Sequence, residues 1–342
     1  MSPLRSRRGI FRLLAGTGLL LTAAAPAAAF ELSLPIDCTI GTDCAIQSYV
    51  DRDPGEDRRD YMCGHQTYDG HDGTDFRIVD LHAMADGVAV LAAAPGTVRA
   101  FRDGMPDASI AETGTAAVKD RECGNGVMID HGDGWATQYC HMKEGSVRVR
   151  KGDAVETGTP LGEVGLSGMT EFPHLHLSVY RDDVEIDPFA IGPTPKAAAC
   201  PFAGDPASAV WSAEARAALA YRPAFVLNAG FAGAPMEMAD VETGAVADRA
   251  LTPTSPALVF YGRAIGLETG DLQRVTILAP DGSVFVENEV EPMDRPKAQY
   301  FAFAGRKRHD EPWPAGTWHG RYTVIRDGQD VASRDVAFEM PE

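Results

Sequence analysis

The chain has 342 residues, of which 31 are lysine or arginine and 49 are aspartate or glutamate, so its formal net charge is -18. A surface this acidic repels polyanions, which argues against nucleic acid as a partner and against tight adsorption to anionic lipid. The length exceeds what one ordinary hydrophobic core accommodates and predicts two domains.

The start of the chain has the pattern of an export signal. Residues 1–12 contain the basic residues, residues 13–25 are mostly apolar, and residues 27–29 are alanines. This pattern predicts a signal peptide over residues 1–29 and a periplasmic or secreted protein. The apolar stretch is shorter than the about 20 residues that span a bilayer, so we expect no stable membrane anchor. A twin-arginine route and an ordinary secretory route both remain open.

All six cysteines follow the predicted signal peptide. An oxidising compartment favours disulfides, although the sequence alone does not select one connectivity. A zinc–thiolate site is not indicated, because no Cys-x-x-Cys occurs. The spacing suggests three pairs, which are Cys38 with Cys44, Cys123 with Cys140, and Cys63 with Cys200.

Composition divides the exported part into four segments. We expect an N-terminal extension at 30–62, a first domain at 63–191, a proline- and alanine-rich linker at 192–208, and a second domain at 209–342. In the first domain, short apolar runs separated by glycines predict an all-β, antiparallel fold, and Asp133-Gly134 predicts a hairpin turn. The runs are 88–94, 126–130, 136–141, 147–149, 160–164 and 175–180.

The second domain begins with an alanine-rich stretch at 212–219 that predicts one short helix. The short apolar segments that follow predict an immunoglobulin-like β-sandwich, with turns at Asp281-Gly282 and Asp327-Gly328. The expected strands are 224–229, 257–264, 273–279, 284–288, 299–304, 320–326 and 331–338.

Two patterns far apart in the chain supply metal-ligand side chains. They are His71-Asp72-Gly73-Thr74-Asp75 and His174-Leu175-His176. Side chains alternate faces along a strand, so both histidines of the second pattern share one face. If His71 and Asp75 also lie on extended chain, their spacing of four places them on one face. Catalytic zinc takes three protein ligands and leaves one position for water. His71, Asp75 and one of the later histidines would supply these three ligands. Spacing alone does not say which one.

A third pattern, Tyr139-Cys140-His141, places His141 on a strand face where it could accept a proton from a metal-bound water molecule. No His-Glu-x-x-His helix occurs, which excludes a thermolysin-like site, and no Gly-x-Ser-x-Gly elbow occurs either. The chemistry therefore depends on the separate histidine patterns.

Together these motifs resemble those of the lysostaphin and LytM type of zinc endopeptidases, which cut the peptides of bacterial cell walls. The resemblance covers residues 64–190 and does not extend to residues 209–342. Its motifs are His71-x-Gly-x-Asp75, Gly96-Thr97-Val98, Gly124-Asn125-Gly126-Val127-x-Ile129-x-His131-Gly132, Tyr139-x-His141, Ser167-Gly168, Pro173-His174-Leu175-His176 and Asp187-Pro188.

The resemblance implies an antiparallel β catalytic domain of LytM type. It implies that His71, Asp75 and His176 hold Zn²⁺, whereas His141 and His174 are catalytic and not ligands. Zinc would lower the pKa of a water molecule and polarise the scissile carbonyl. We expect His141 to be the general base and His174 to stabilise the oxyanion or protonate the leaving amine. The predicted protein is an exported zinc metalloendopeptidase that hydrolyses peptidoglycan stems or crosslinks.

Two alternatives stay open. A catalytically inactive LytM-like scaffold, or an activator of another cell-wall hydrolase, would be expected to lack ligands. A D-alanyl-D-alanine peptidase is kept open by Glu171, which lies three residues before His174. The sequence indicates neither the peptide bond that is cleaved nor the oligomeric state.

Further features border these motifs. The segment 102–122 is interpreted as a surface loop, either a variable loop without a role or one that borders the groove and shapes substrate choice. The segment 30–59 is interpreted as either a simple extension or a lid over the groove. Tyr61 and Tyr68 are candidate phenol donors to an oxyanion, and His131 is read as a structural residue.

Overall fold

The computed structural model describes residues 29–192 and 209–342. The predicted signal peptide and linker therefore lie almost entirely outside the described residues, as does Cys200. Within the described part, no helix has the length and apolar character needed to cross a membrane. The architecture is all-β, as predicted, and consists of one large sheet with a small strand pair, followed by two facing sheets.

An eight-stranded antiparallel sheet forms the first unit. Its strands are β1 (Cys44–Ser48), β2 (Thr74–Ile78), β4 (Gly96–Arg102), β5 (Asn125–Gly132), β6 (Trp135–Met142), β7 (Ala154–Val155), β9 (His174–Arg181) and β10 (Val184–Ile186). The sheet order is β1-β2-β9-β6-β5-β4-β7, and β10 pairs with β9. A separate pair consists of β3 (Ala89–Leu91) and β8 (Pro160–Glu163).

Local sequence explains most of these strands. Asp133 and Gly134 both have positive φ, which the tight turn between β5 and β6 requires, and this confirms the predicted hairpin. The apolar run 147–149 forms no strand, although Val147 and Val149 are buried in the core. Helix α1 (Leu81–Asp86) was not expected, and its N-cap Asp80 accepts a hydrogen bond from the Ala83 amide.

The segment 30–62, predicted as an extension, is built into this first unit. Leu32, Ile36 and Tyr49 are buried in its core, and β1 pairs with β2 as the edge strand of the sheet. The Leu32 amide also donates to the carbonyl of Val210. A removable lid does not have these contacts, because its departure would expose core side chains and leave β2 without a neighbour.

The residues that follow position 208 pack on the first unit. Trp211 and Leu219 lie in the same hydrophobic core as β2 and β9. Between them is α3 (Ala213–Ala218), which confirms the predicted helix and is capped by the Ser212 hydroxyl. The predicted domain start at residue 209 thus falls in a segment that packs on the first unit.

The second unit, residues 224–342, is a sandwich of a three-stranded and a four-stranded antiparallel sheet. Phe260, Trp318 and Tyr322 are among the buried side chains that fill the space between the sheets. The orders are β11-β12-β15 and β14-β13-β16-β17. The strands are β11 (Phe225–Ala232), β12 (Ala257–Leu267), β13 (Leu272–Leu278), β14 (Val284–Val290), β15 (Lys297–Lys307), β16 (Gly316–Arg326) and β17 (Gln329–Met340).

Each expected strand of the second unit is present, and most are longer than predicted. The predicted turns at Asp281-Gly282 and Asp327-Gly328 lie between strands, and Gly282, Asp327 and Gly328 have positive φ. A helix α4 (Met238–Thr243) and a 3₁₀ helix (Ala245–Arg249) were not expected, and they cover apolar side chains of β11 and β12.

The two units share an apolar contact. Ala45 and Val79 of the first unit pack against Phe225, Leu227 and Ile265 of the second unit. The contact lies beside β1 and β2, and β2 is the neighbour of β9 in the sheet. The second unit is therefore attached at the edge of the sheet that carries the histidine motifs.

Two disulfides confirm predicted pairs. Cys38 is bonded to Cys44, and Cys123 is bonded to Cys140. Cys63 is also disulfide-bonded, and no cysteine of the described residues is free. The predicted pairing of Cys63 with Cys200 remains a prediction, because Cys200 lies outside the described residues.

Candidate active site

Strands β2 and β9 bring three polar side chains to one face of the sheet. Asp75 pairs with His176 in the antiparallel register, and His174 lies two residues before His176 on the same strand. Leu175 and Leu177 point to the opposite face and are fully buried in the core. The alternation of a strand thus separates the polar site from the apolar core within a few residues.

His71 lies before β2 and not on it. Its Nδ1 is 2.6 Å from the carbonyl oxygen of Tyr49, which directly follows β1, and its own carbonyl accepts a hydrogen bond from the Asp51 amide. Because a carbonyl only accepts, Nδ1 carries the proton and Nε2 is left to face Asp75. The N-terminal segment 30–62 therefore supplies the contact that orients this imidazole.

Three donor atoms converge on one point. His71 Nε2 lies 3.1 Å from Asp75 Oδ1 and 3.3 Å from His176 Nδ1, and His176 Nδ1 lies 2.9 Å from Asp75 Oδ1. Ligands about 2.0–2.1 Å from a tetrahedral zinc ion are about 3.3 Å apart, so these separations are close to those around one ion. The residues are 2%, 2% and 8% exposed, and they could hold a metal ion.

A second group, His141, His174 and His176, also has ligand atoms within 4.8 Å of one another. In this group, the Nδ1 atoms of His141 and His174 each face a backbone carbonyl. The group offers imidazoles alone, whereas the first group includes a carboxylate between two imidazoles. Both groups could hold a metal ion, and the first has the mixed nitrogen and oxygen donor set that catalytic zinc sites use.

Charge supports the same conclusion. Burial raises the pKa of Asp75, but His71 and His174 outweigh it and hold the pKa well below its usual value, so this carboxylate is ionised. Burial lowers the pKa of His176, but hydrogen bonds to Asp72 and Asp75 outweigh it and raise the pKa to about 9. In the metal-free protein His176 is a cation held by two carboxylates, and a metal ion would replace its proton.

His141 lies on β6 and has an unusual backbone. Its φ is +60°, a region that non-glycine residues rarely adopt and that often marks a functional site. Its Nδ1 is 2.8 Å from the carbonyl oxygen of Ser167, so Nδ1 donates and Nε2 keeps a lone pair. Burial, followed by His174 and His176, lowers the pKa of His141 well below its usual value, so it is neutral near pH 7.

His174 is held by the loop that precedes β9. Its Nδ1 lies 2.9 Å from the carbonyl oxygen of Phe172 and 3.1 Å from the hydroxyl of Thr170. The His174 ring centroid lies 4.7 Å from that of His141. Thr170 was not identified from the sequence, since only its position four residues before His174 connects it with the site.

Residues 69–188 match the family model described as Peptidase family M23. This segment is a peptidase family M23 domain. It contains the five proposed site residues, His71, Asp75, His141, His174 and His176, and ends at Pro188, close to the limit that the sequence motifs indicate.

Similar proteins are known for parts of this chain. The cell division protein DipM of Caulobacter vibrioides is 39% identical over 56 residues, which are 16% of this chain and only 9% of the DipM chain. The catalytic domain of the prophage-encoded M23 protein EnpA from Enterococcus faecalis is 21% identical, with a TM-score of 0.33, over 48% of this chain and 99% of that one. A zinc-containing peptidase from Vibrio cholerae is 23% identical, with a TM-score of 0.27, over 41% of this chain and 38% of that one.

The two candidate phenol donors lie in different surroundings. Tyr68 lies beside the site, with its ring centroid 4.4 Å from that of His71, and is 49% exposed. Tyr61 instead packs in an aromatic cluster with Tyr49 and Phe189, so it does not serve as a donor at the site. The sequence could not separate the two phenols, because both precede His71 by a short distance.

Two further candidates lie away from the metal-ligand group. His131 bonds to the carbonyl of Pro95 and to the hydroxyl of Thr137, each at 2.8 Å, which fits the predicted structural role. Glu171 is exposed and is absent from both groups of possible ligands. The D-alanyl-D-alanine peptidase alternative depended on Glu171 and loses that support.

The segment 102–122, predicted as a surface loop, is mostly exposed but contains α2 (Ile110–Thr113) and a 3₁₀ helix (Thr115–Val118). Its backbone bonds to the loop before β9 at three places, Ala108 to Leu166, Ile110 to Thr170, and Met169 to Glu122. The segment therefore supports the loop that holds His141 and His174 in place.

Proposed function

We propose that this chain is an exported zinc metalloendopeptidase that hydrolyses peptide bonds in peptidoglycan stems or crosslinks. The convergence of His71 Nε2, Asp75 Oδ1 and His176 Nδ1 within 2.9–3.3 Å of one another carries the proposal. Membership of residues 69–188 in peptidase family M23 supports the reaction class. Peptidoglycan as the substrate is an extension from the family.

The donor set fits zinc. Two imidazole nitrogens and one carboxylate oxygen leave a fourth position of a tetrahedral ion free for water or substrate, as catalytic zinc sites require. Zinc bound there would lower the pKa of a water molecule and polarise the scissile carbonyl. The low pKa of Asp75 keeps its carboxylate available as a ligand near neutral pH.

His141 is proposed as the general base. Its Nδ1–H is committed to the carbonyl of Ser167, so the lone pair on Nε2 is the one available to take a proton. The low pKa of His141 ensures that this lone pair is free near pH 7. A buried position keeps the imidazole in one orientation, which is what proton transfer over hydrogen-bond distance needs.

His174 is proposed to donate a hydrogen bond or a proton during the reaction. Its Nδ1–H donates to Phe172, and a second proton on Nε2, which lies 3.3 Å from Asp75 Oδ1, would be beside the proposed metal site. That proton could stabilise the oxyanion or pass to the leaving amine. The 4.7 Å between the two ring centroids allows both imidazoles to contact one scissile bond.

The signal-peptide pattern of residues 1–29 and the disulfides of the described residues support a periplasmic or secreted location. The peptidoglycan peptide is the proposed partner, and the acidic surface argues against nucleic acid.

The test is digestion of purified peptidoglycan with the purified mature protein, followed by mass spectrometry of the soluble fragments. We expect new peptide termini, and we expect none after zinc is removed with a chelator. His71→Ala and Asp75→Ala should lose both stoichiometric zinc and cleavage. His309→Ala is the matched control, because His309 is an exposed histidine of the second unit.

The outcomes separate the hypotheses. Stoichiometric zinc without any new peptide terminus would indicate the inactive scaffold. One equivalent of zinc retained in His71→Ala or Asp75→Ala would reject the ligand set.

A further inference from the structure

Arg77 connects the second unit to the face of the sheet that carries the site. It lies two residues after Asp75 on β2 and is the register partner of His174 on β9. Because alternate residues of a strand share a face, its side chain is on the same side as Asp75. Its Nη2 donates to Oε1 of Gln299 on β15 of the second unit, at 2.8 Å.

The guanidinium of Arg77 is enclosed by amides. The residue is only 2% exposed, and its Nη1 donates to Oε1 of Gln47 at 2.8 Å. Both oxygens belong to neutral amides, so the positive charge is not balanced by a bonded carboxylate. Burial, together with the charge of Arg263, lowers the pKa of Arg77 to about 9. A buried cation in this setting is stable only while its amide partners stay in place.

Each amide partner has one possible orientation. Gln299 Nε2 donates to Oε1 of Glu242 at 2.7 Å, and Gln47 Nε2 donates to the carbonyl of Ala298 at 2.9 Å. A carboxylate and a carbonyl only accept, whereas Arg77 only donates, so both amide oxygens must face Arg77. The second unit therefore fixes the guanidinium from two directions, through Gln299 directly and through Ala298 by way of Gln47.

The other face of the guanidinium contacts the loop that holds His174. The Arg77 Cζ atom lies 4.1 Å from the ring centroid of Phe172, a cation–π distance. The ring of Phe172 lies 4.8 Å from the ring of His174, and its carbonyl accepts the His174 Nδ1–H bond at 2.9 Å. A shift of Phe172 would therefore move the imidazole directly.

We propose that the second unit positions the imidazole of His174 through Gln299, Arg77 and Phe172. Gln299 and Arg77 are positioning residues in this arrangement, and neither is expected to touch the substrate. The inference rests on the proposed function for its catalytic consequence, but the physical link between Gln299 and His174 exists with or without turnover. The second unit thus acts on the site from a β-strand more than a hundred residues after the last histidine motif.

The experiment uses the full mature chain with Gln299→Leu, which removes the amide from Arg77 and keeps a similar volume. Nitrogen-15 NMR of the histidine side chains reports the Nδ1 hydrogen bond of His174, and His131 is an internal reference that lies away from Arg77. We expect the His174 resonances to shift while those of His131 stay unchanged. In cleavage assays we expect kcat to fall about tenfold with KM nearly unchanged, since misplacing a catalytic group reduces turnover.

Arg77→Lys is the second variant, because it keeps the charge but cannot bond two amides and stack on Phe172 at once. It should reproduce the His174 shift and the lower kcat. Gln329→Leu, an exposed glutamine of the second unit, is the matched control and should change neither. Zinc content and the melting temperature of each variant show whether the site and the fold are intact.

The results distinguish a positioning role of Gln299 and Arg77 from a general contribution to the stability of the fold. An unmoved His174 resonance in folded Gln299→Leu overturns the inference, whether or not the wild type cleaves peptidoglycan. If the wild type is active, a lower melting temperature with unchanged kcat also overturns it. An inactive wild type with a shifted His174 resonance leaves the structural link standing and rejects the proposed function alone.

Discussion

Metal binding at the site should depend steeply on pH, and His176 is the reason. Hydrogen bonds to Asp72 and Asp75 outweigh burial and raise the pKa of this imidazole to about 9 in the metal-free protein. A protonated nitrogen cannot be a ligand, so each metal ion that binds through His176 must displace one proton. Below about pH 9 the proton competes with the metal, so acidification weakens binding.

The loss of zinc affinity is set by the difference between this pKa and the pH of the measurement. At pH 7 the gap is about two units, which corresponds to about 2.7 kcal/mol of binding free energy at about 1.36 kcal/mol per unit. The apparent zinc affinity should therefore fall about tenfold per pH unit from pH 9 to pH 7. Asp75 adds nothing to this slope, because its pKa lies well below the range.

Isothermal titration calorimetry of the chelator-treated protein measures the proton directly. Titrations at pH 7 in two buffers of different ionisation enthalpy should show about one proton released per zinc ion, and His309→Ala should give the same count. A heat of binding that is independent of the buffer, or an affinity that is flat between pH 7 and pH 9, would refute His176 as the ligand that exchanges a proton for metal.

Three further predictions concern the same unit. His141→Gln should keep stoichiometric zinc while kcat falls by about 10² to 10⁴, because a general base and not a ligand is lost; parallel zinc analysis and cleavage assays check this. Gly73→Ala should weaken zinc binding, since an added Cβ would lie 2.5 Å from Nε2 of His176, and equilibrium dialysis against Gly55→Ala as control would show it. Leu175→Ala, which truncates a fully buried side chain behind the site, should lower the free energy of unfolding by about 2–5 kcal/mol in urea titration; a loss under about 1 kcal/mol would contradict the assigned core.

Much of this architecture is encoded in short-range patterns. Alternation along residues 174–180 predicts both the strand and the face that its histidines share, and the Asp-Gly pairs predict turns because they tolerate positive φ. The sandwich strands are found where alternating apolar residues lie between turn residues. Such patterns depend on the geometry of a few adjacent residues, which is why one chain is sufficient to predict them.

The orientation of each functional side chain depends on residues that are distant in sequence. The carbonyl of Tyr49 orients His71, and the carbonyl of Ser167 orients His141. No local sequence pattern predicts the positive φ of His141. Tyr61 and Tyr68 look alike in the sequence, yet Tyr68 lies against the ring of His71, whereas Tyr61 stacks on Phe189.

The contact between Arg77 and Gln299 joins residues 222 positions apart. Its two strands belong to different sheets, and their relative placement follows from how the apolar faces of the two units pack together. Periodicity states which side of a strand a residue occupies, but not which other element lies against that side. That information exists only once the cores have formed, because close packing and the pairing of buried polar groups select among the many arrangements that the local patterns allow.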